Sequence, residues 1–134
     1  MLGRMLAAVA LAGLSASACN GPSTSLPASF SLAPGETARV DTDVLVRARF
    51  EEVLSDSRCP TNVECVWAGD ALVAFTLTVG ADEQRIELSL ADAAKRRASF
   101  HGFSVELTSV NPYPVGNQPI APRDYRASII ISRE

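Results

Sequence analysis

Between residues 30 and 132 apolar and polar side chains alternate with a period of two, and turn residues interrupt the pattern every eight to twelve positions. Val44, Val46, Ala48 and Phe50 share one side of a strand over 44–54, opposite Arg47, Arg49 and Glu51. Ala71, Val73, Phe75, Leu77 and Val79 oppose Thr76 and Thr78 over 71–79, and Ile86, Leu88 and Leu90 oppose Arg85, Glu87 and Ser89 over 84–90. Phe103, Val105 and Leu107 alternate with Ser104, Glu106 and Thr108 in a strand ending near Val110, and Tyr125, Ala127, Ile129 and Ile131 share the inner side of 125–132. Two shorter strands, Phe30–Leu32 and Thr37–Val40, flank a turn at Ala33-Pro34-Gly35-Glu36, and Gly80 to Glu83 forms a hairpin turn. Successive strand residues point to opposite faces of a sheet, so this pattern predicts half-buried strands in an all-β domain. The fold class is a single antiparallel β-sandwich or barrel of about seven to eight strands. Alternation does not encode strand order, so both architectures remain open.

Two stretches break the period. Residues 91–97, ADAAKRR, have helix-forming composition but are too short to sustain a helix, and they read as one turn or a polar connection. Residues 111–122, NPYPVGNQPIAP, carry four prolines, whose missing amide hydrogens exclude a central strand. This segment is expected to cross between the two sheets, with Tyr113 available as a contact residue.

The N-terminus has a different organisation. Arg4 precedes an uncharged apolar run from Met5 to Leu14, and small residues follow, ending Ala16-Ser17-Ala18. A membrane-spanning helix needs about 20 apolar residues, so residues 1–18 read as a signal peptide. Cys19 comes next, then an uncharged tether that reaches to residue 28, with the β-domain over 29–134. Ala16-Ser17-Ala18-Cys19 resembles the lipobox of bacterial lipoproteins. That resemblance implies a Cys19 carrying acyl chains such as palmitate, and a place in the cell envelope, on the outer membrane or facing the periplasm. Ala-x-Ala is also the mark of ordinary signal peptidase, which keeps a soluble secreted or periplasmic protein as the alternative.

The chain has 12 Lys plus Arg against 15 Asp plus Glu, a net charge of −3 that becomes −4 when Arg4 leaves with the signal. An acidic balance excludes a general electrostatic hold on nucleic acid. With Cys19 used by lipid, two of the three cysteines remain, Cys59 and Cys65. Their spacing is wrong for a redox pair, and a zinc site lacks its other ligands, which leaves a disulfide. Closing so short a loop stabilises the fold by about 2 kcal/mol.

Asp56-Ser57-Arg58-Cys59-Pro60 followed by Cys65-Val66-Trp67-Ala68-Gly69 resembles the D-S-R-C-P…C-x-W-x-G motif of small bacterial lipoproteins and exported proteins. The resemblance implies that kind of protein and carries over no activity. In one reading the cluster is a stapled corner: Asp56 and Arg58 tie its two arms, and Trp67 covers the disulfide and sinks a face into the core. In the other, Asp56, Arg58, Asn62, Glu64, Trp67 and Asp70 form a recognition edge.

Catalytic chemistry is thin. His101 is the only histidine, so a hydrolase would have to use it. Asp41, Asp43, Asp56 and Asp70 are not spaced as a calcium loop; no catalytic set, metal set or cofactor is expected. Lys95-Arg96-Arg97 reads as a solvated connection. The function expected is a lipid-anchored, non-enzymatic envelope protein acting as an interaction or structural module. Its partners would be the membrane, through the lipid, and an envelope protein or protease. An alternative is a protease inhibitor presenting the disulfide loop 59–65, and a remote one is a hydrolase built on His101.

Overall fold

The computed structural model describes residues 25–134. The signal peptide, Cys19 and most of the tether lie outside the described residues. Eight strands make two four-stranded antiparallel sheets. In chain order these are β1 (Ala28–Leu32), β2 (Thr37–Asp41), β3 (Leu45–Asp56), β4 (Ala71–Val79), β5 (Asp82–Ser89), β6 (Arg97–Phe100), β7 (Phe103–Asn111) and β8 (Arg126–Arg133). One sheet has the order β1-β8-β7-β6 and the other β2-β3-β4-β5. A single apolar core joins them: Phe50, Phe75 and Leu88 from one sheet, Leu107, Ile129 and Ile131 from the other, all completely buried. Phe50 and Phe75 stack with their centroids 5.3 Å apart. The architecture is therefore a two-sheet sandwich, which resolves the choice that alternation left open.

The alternating positions fall as expected along most strands, with differences where the chain bulges or shortens. Val44 is exposed at the β2–β3 turn, whereas Val46, Ala48 and Phe50 are buried. β5 ends at Ser89, one residue before the expected limit, and Ser89 is itself buried because its hydroxyl bonds the Asp70 carboxylate. Residues 91–96 form the polar connection foreseen for 91–97, but Arg97 opens β6, a four-residue strand that the period did not reveal. Its inward residues, Ala98 and Phe100, are only half-buried, and four positions are too few to establish alternation. Ala28 already pairs with Ile131, so the last residue of the tether belongs to the sheet.

The proline-rich segment departs from its expected role. It links β7 to β8, which are neighbours in one sheet, and so arches over the end of that sheet instead of crossing to the other. A 3-10 turn at Pro122–Asp124 returns the chain to β8.

Pairing registers assign every loop to one of two ends. Ala28 lies against Ile131, while Leu32 lies against Ala127; Asn111 of β7 faces Arg126 at the start of β8. Residues 25–27 therefore enter at the end that also carries the 42–44 turn, where Arg133 meets Asp43 at 2.6 Å. The 57–70 loop and the proline-rich arch occupy the opposite end, which we term the cap. Nine-residue strands such as β4 and β7 separate the two ends by about 30 Å.

Candidate functional site

β3 and β4 pair out to Asp56 and Ala71. Two further bonds, Ser57 N–H to the Asp70 carbonyl at 2.7 Å and Cys59 N–H to the Ala68 carbonyl at 3.0 Å, extend this ladder into a narrow neck beneath the cap. Gly69 sits in that neck at φ +69°, and an added Cβ would lie 1.8 Å from the Ser57 carbonyl oxygen. Above the neck the Cys59–Cys65 disulfide closes the loop, with its Cα atoms 5.9 Å apart. Val63 N–H donates to the Pro60 carbonyl, so the loop backbone is folded into a turn.

One buried side chain organises the base. Arg58 is 5% exposed, and its Nε and Nη2 donate to the two Asp56 carboxylate oxygens, each at 2.8 Å. Nη1 and Nη2 also donate to the carbonyls of Val110 and Pro112 at 2.5 and 3.0 Å, which fastens the start of the proline-rich arch to the disulfide loop. The guanidinium carbon lies 4.7 Å from the centroid of the Tyr113 ring, a cation–π contact from the same arch. Tyr125 completes the network by donating its hydroxyl to Asp56 at 2.9 Å. Among the described residues no buried side-chain polar atom lacks a partner, so this ionic base is fully satisfied. Two more bonds join the loops above it: Thr61 N–H to the Pro114 carbonyl at 3.1 Å, and Gly116 N–H to the Asn62 side-chain oxygen at 2.6 Å.

The electrostatics follow from this packing. Burial pushes the Asp56 carboxyl up, but the hydrogen bonds from Arg58 and Tyr125 and the Arg58 charge outweigh it, and its pKa lies below the ordinary 3.8. Its contribution to stability is present above that value and is lost as acid takes the pH down through the folded-state value. The Tyr125 phenol is pushed up to about 12, first by burial and then by the bond and charge of Asp56. In the unfolded chain it titrates near its ordinary 10.0, so above that pH unfolding gains an ionisation that the folded state resists. Stability from this group is whole below pH 10 and falls as the pH climbs toward the folded value, by about 3 kcal/mol at most. Tyr125→Phe is expected to flatten the decline of the urea midpoint between about pH 10 and 12. An unchanged decline in the variant would assign the alkaline limb to other groups.

The structure thus gathers Asp56, Arg58, Asn62, Glu64, Trp67 and Asp70 at one end, but in two layers. Asp56, Arg58 and Asp70 are internal ties: Asp70 accepts the Ser89 hydroxyl and the Ala91 N–H, holding the 90–96 connection against the neck. Asn62, Glu64 and Trp67 face solvent. Trp67 corrects an expectation, because it neither covers the disulfide nor enters the core; it is 81% exposed. The chain bends at Val66 and Trp67, just before the Cys59–Ala68 bond of the neck, and both side chains face outward. Val66 beside it is 90% exposed, and Val63, Tyr113 and Val115 are further exposed apolar residues of the two cap loops. Trp67→Ala is therefore expected to change the urea-unfolding free energy by less than about 0.5 kcal/mol, where a core tryptophan would cost about 3–5 kcal/mol.

Sequence reasoning missed Tyr125 as the partner of Asp56, Ser57 and Gly69 as parts of the neck, and Val66 as a surface residue. None of these had a readable signal in the local pattern: Val66 and Trp67 lie in a bend and both face solvent. Hollows flank the Tyr113 ring. One of about 180 Å³ is lined by Arg58, Ala68, Gly69, Asp70, Leu90 and Tyr113 itself. The other, about 220 Å³, is lined by Pro112, Val115, Gln118, Pro119 and Ile120 along with Tyr113.

Elsewhere the surface offers less. A polar groove of about 270 Å³ on the outer face of the β2–β5 sheet sets Arg47 and Arg49 against Glu51 and Glu83, a balanced set of charges. His101 occupies the β6–β7 turn at the end opposite the cap, 3.4 Å from Asp82 and packed on Phe100. Asp41 and Asp43 also lie at that end, away from Asp56 and Asp70. Among the described residues no group of three His, Cys, Asp or Glu is placed to hold a metal ion, and no helix is long and apolar enough to cross a membrane. The disulfide fits an oxidising compartment. Comparison with known proteins finds no matching family model, no similar curated protein and no similar solved structure.

Proposed function

We propose that the protein is a non-enzymatic interaction module of the bacterial cell envelope, held to a membrane by lipid on Cys19, with the cap as its working surface. The observation that carries this reading is the 81% exposure of Trp67 on a cross-braced base. Exposing a large aromatic ring is costly unless a partner covers it, and exposed apolar side chains gathered at one end of a domain support an interaction site there. The disulfide, the neck and the Arg58 network hold the loops in place beforehand, which lowers the ordering cost of binding. The position of the cap supports the same reading, since it points away from the end where the tether enters. The rival reading as a protease bait is less well served. A bait presents extended backbone to a protease cleft, whereas Pro60–Val63 is a turn and Thr61 N–H is committed to Pro114.

Two measurements test the proposal. Mass spectrometry of the protein from the membrane fraction should show Cys19 with its acyl chains; a free or disulfide-bonded Cys19 would remove the anchor. A photo-crosslinking side chain placed at Val66 should give adducts in the envelope while one at Thr78, on the outer sheet face, should not. Equal labelling at both positions would remove the cap as the working surface.

A further inference from the structure

We propose that the Cys59–Cys65 disulfide is a redox latch on the cap, opened by a dithiol reductant that attacks at Cys65. Exposed disulfides are the labile and regulatory ones, whereas structural ones resist reduction. Cys65 is exposed and Cys59 is half-buried, so the two sulfurs are unequal: the outer one is open to attack and the inner one leaves. The sequence separation of six that excludes a redox catalyst does not bear on this role, because here the disulfide is the substrate of exchange.

The reduced state has a place prepared for it. Cys59 Sγ lies 3.1 Å from the Val63 carbonyl oxygen. In the disulfide that sulfur carries no hydrogen; as a thiol it donates across the same contact with the loop backbone where it stands. The chemistry balances with a dithiol alone. One thiolate of the reductant attacks Cys65 Sγ, the bond to Cys59 breaks, and Cys59 leaves with the electron pair and takes a proton from water. The second thiolate of the reductant then attacks its own sulfur in the mixed disulfide and releases Cys65, which is protonated in turn. Two electrons pass to the protein, and the reductant ends as an internal disulfide.

Opening the latch spares the fold. The Ser57–Asp70 and Cys59–Ala68 bonds of the neck lie below the disulfide, and the Arg58 base holds the start of the arch through Val110 and Pro112. Loop residues 61–65 are all exposed, and they meet the arch through the Thr61–Pro114 and Asn62–Gly116 bonds. A ring this short restrains the unfolded chain only modestly, so reduction frees the loop and lowers the melting temperature by about 10 °C. The latch stands whatever the cap does; that it controls binding rests on the interaction-module reading.

The test treats full-chain protein from the envelope with dithiothreitol, traps thiols with iodoacetamide and reads them by mass spectrometry. Reduction of the folded protein should run within about tenfold of the rate in guanidinium chloride. A rate that instead tracks global unfolding overturns the latch. In Cys59→Ser, Cys65 should react with an aromatic disulfide at least about tenfold faster than Cys59 does in Cys65→Ser; equal rates remove Cys65 as the point of attack. In the reduced protein, hydrogen exchange at Gly116 N–H should accelerate at least about tenfold while Cys59 N–H keeps its protection. Loss of protection at both makes the disulfide a staple of the neck and overturns the proposal, as does unchanged exchange at Gly116. Photo-crosslinking from Val66 should fall on reduction. Crosslinking that reduction leaves unaltered removes the control of binding. Labelling that never exceeds that at Thr78 removes the interaction module, while the latch stands or falls on its exchange rates.

Discussion

Gly69→Ala is expected to cost about 3–5 kcal/mol, combining the strain of a left-handed L-residue with a contact that nothing soft can relieve. The added Cβ would meet the Ser57 carbonyl oxygen at 1.8 Å and its carbon at 2.5 Å, both backbone atoms of the opposite arm of the neck. Relief requires the arms to part, breaking the Ser57–Asp70 and Cys59–Ala68 bonds. Gly80 supplies the control: it too has positive φ, +60°, but open space where its Cβ would go. Gly80→Ala should therefore cost only about 1 kcal/mol, the conformational part alone. For a domain of this size the difference corresponds to roughly 10 °C or more in melting temperature. If the two variants melt within a few degrees of each other, the neck is not the close approach described.

Arg58→Ala is the second large effect, also about 3–5 kcal/mol, because removing one partner of a buried ion pair strands the other. Asp56 would keep only the Tyr125 hydroxyl and the backbone N–H of residue 58, and the carbonyls of Val110 and Pro112 would lose their donor inside the protein. Arg58→Lys keeps the charge but cannot span four acceptors from one planar group, so it should fall between Ala and wild type. Replacing Asp56 and Arg58 together with apolar residues should cost less than Arg58→Ala alone. Chemical denaturation gives these values. Hydrogen exchange at Gly116 N–H, bonded to Asn62 across the two loops, should accelerate in Arg58→Ala if the arch has come loose. A loss below about 1 kcal/mol with unchanged exchange would show that the arch is held without the arginine.

The sandwich was largely legible because burial on one face of each strand imprints a two-residue period. The inner rows of β3, β4, β7 and β8 can be read directly, from Val46-Ala48-Phe50 to Ala127-Ile129-Ile131. What escaped had no periodic imprint. β6 is too short, and the order of strands depends on pairing between distant segments. The proline-rich arch was legible as a break in the sheet but not as a roof over one end of it. In the cap, Asp56 and Arg58 could be paired from their proximity in sequence, while Tyr125, sixty-nine residues further on, could not. Trp67 was misread because a large aromatic residue beside a disulfide is most often core; the bend at Val66 and Trp67, where both face solvent, has no signature in the local pattern.

The pairing of the first strand with the last sets the order in which the molecule can be completed. Among the described residues β1 finds its only sheet partner in β8, residues 126–133. Until that segment is in place, β1 has no ladder to join and β7 lacks one of its two neighbours. Contacts so far apart along the chain make assembly slow compared with helical domains of equal length. Without residues 126–133, β1 would be left unpaired and β7 would become an open edge, a state prone to pairing with other chains.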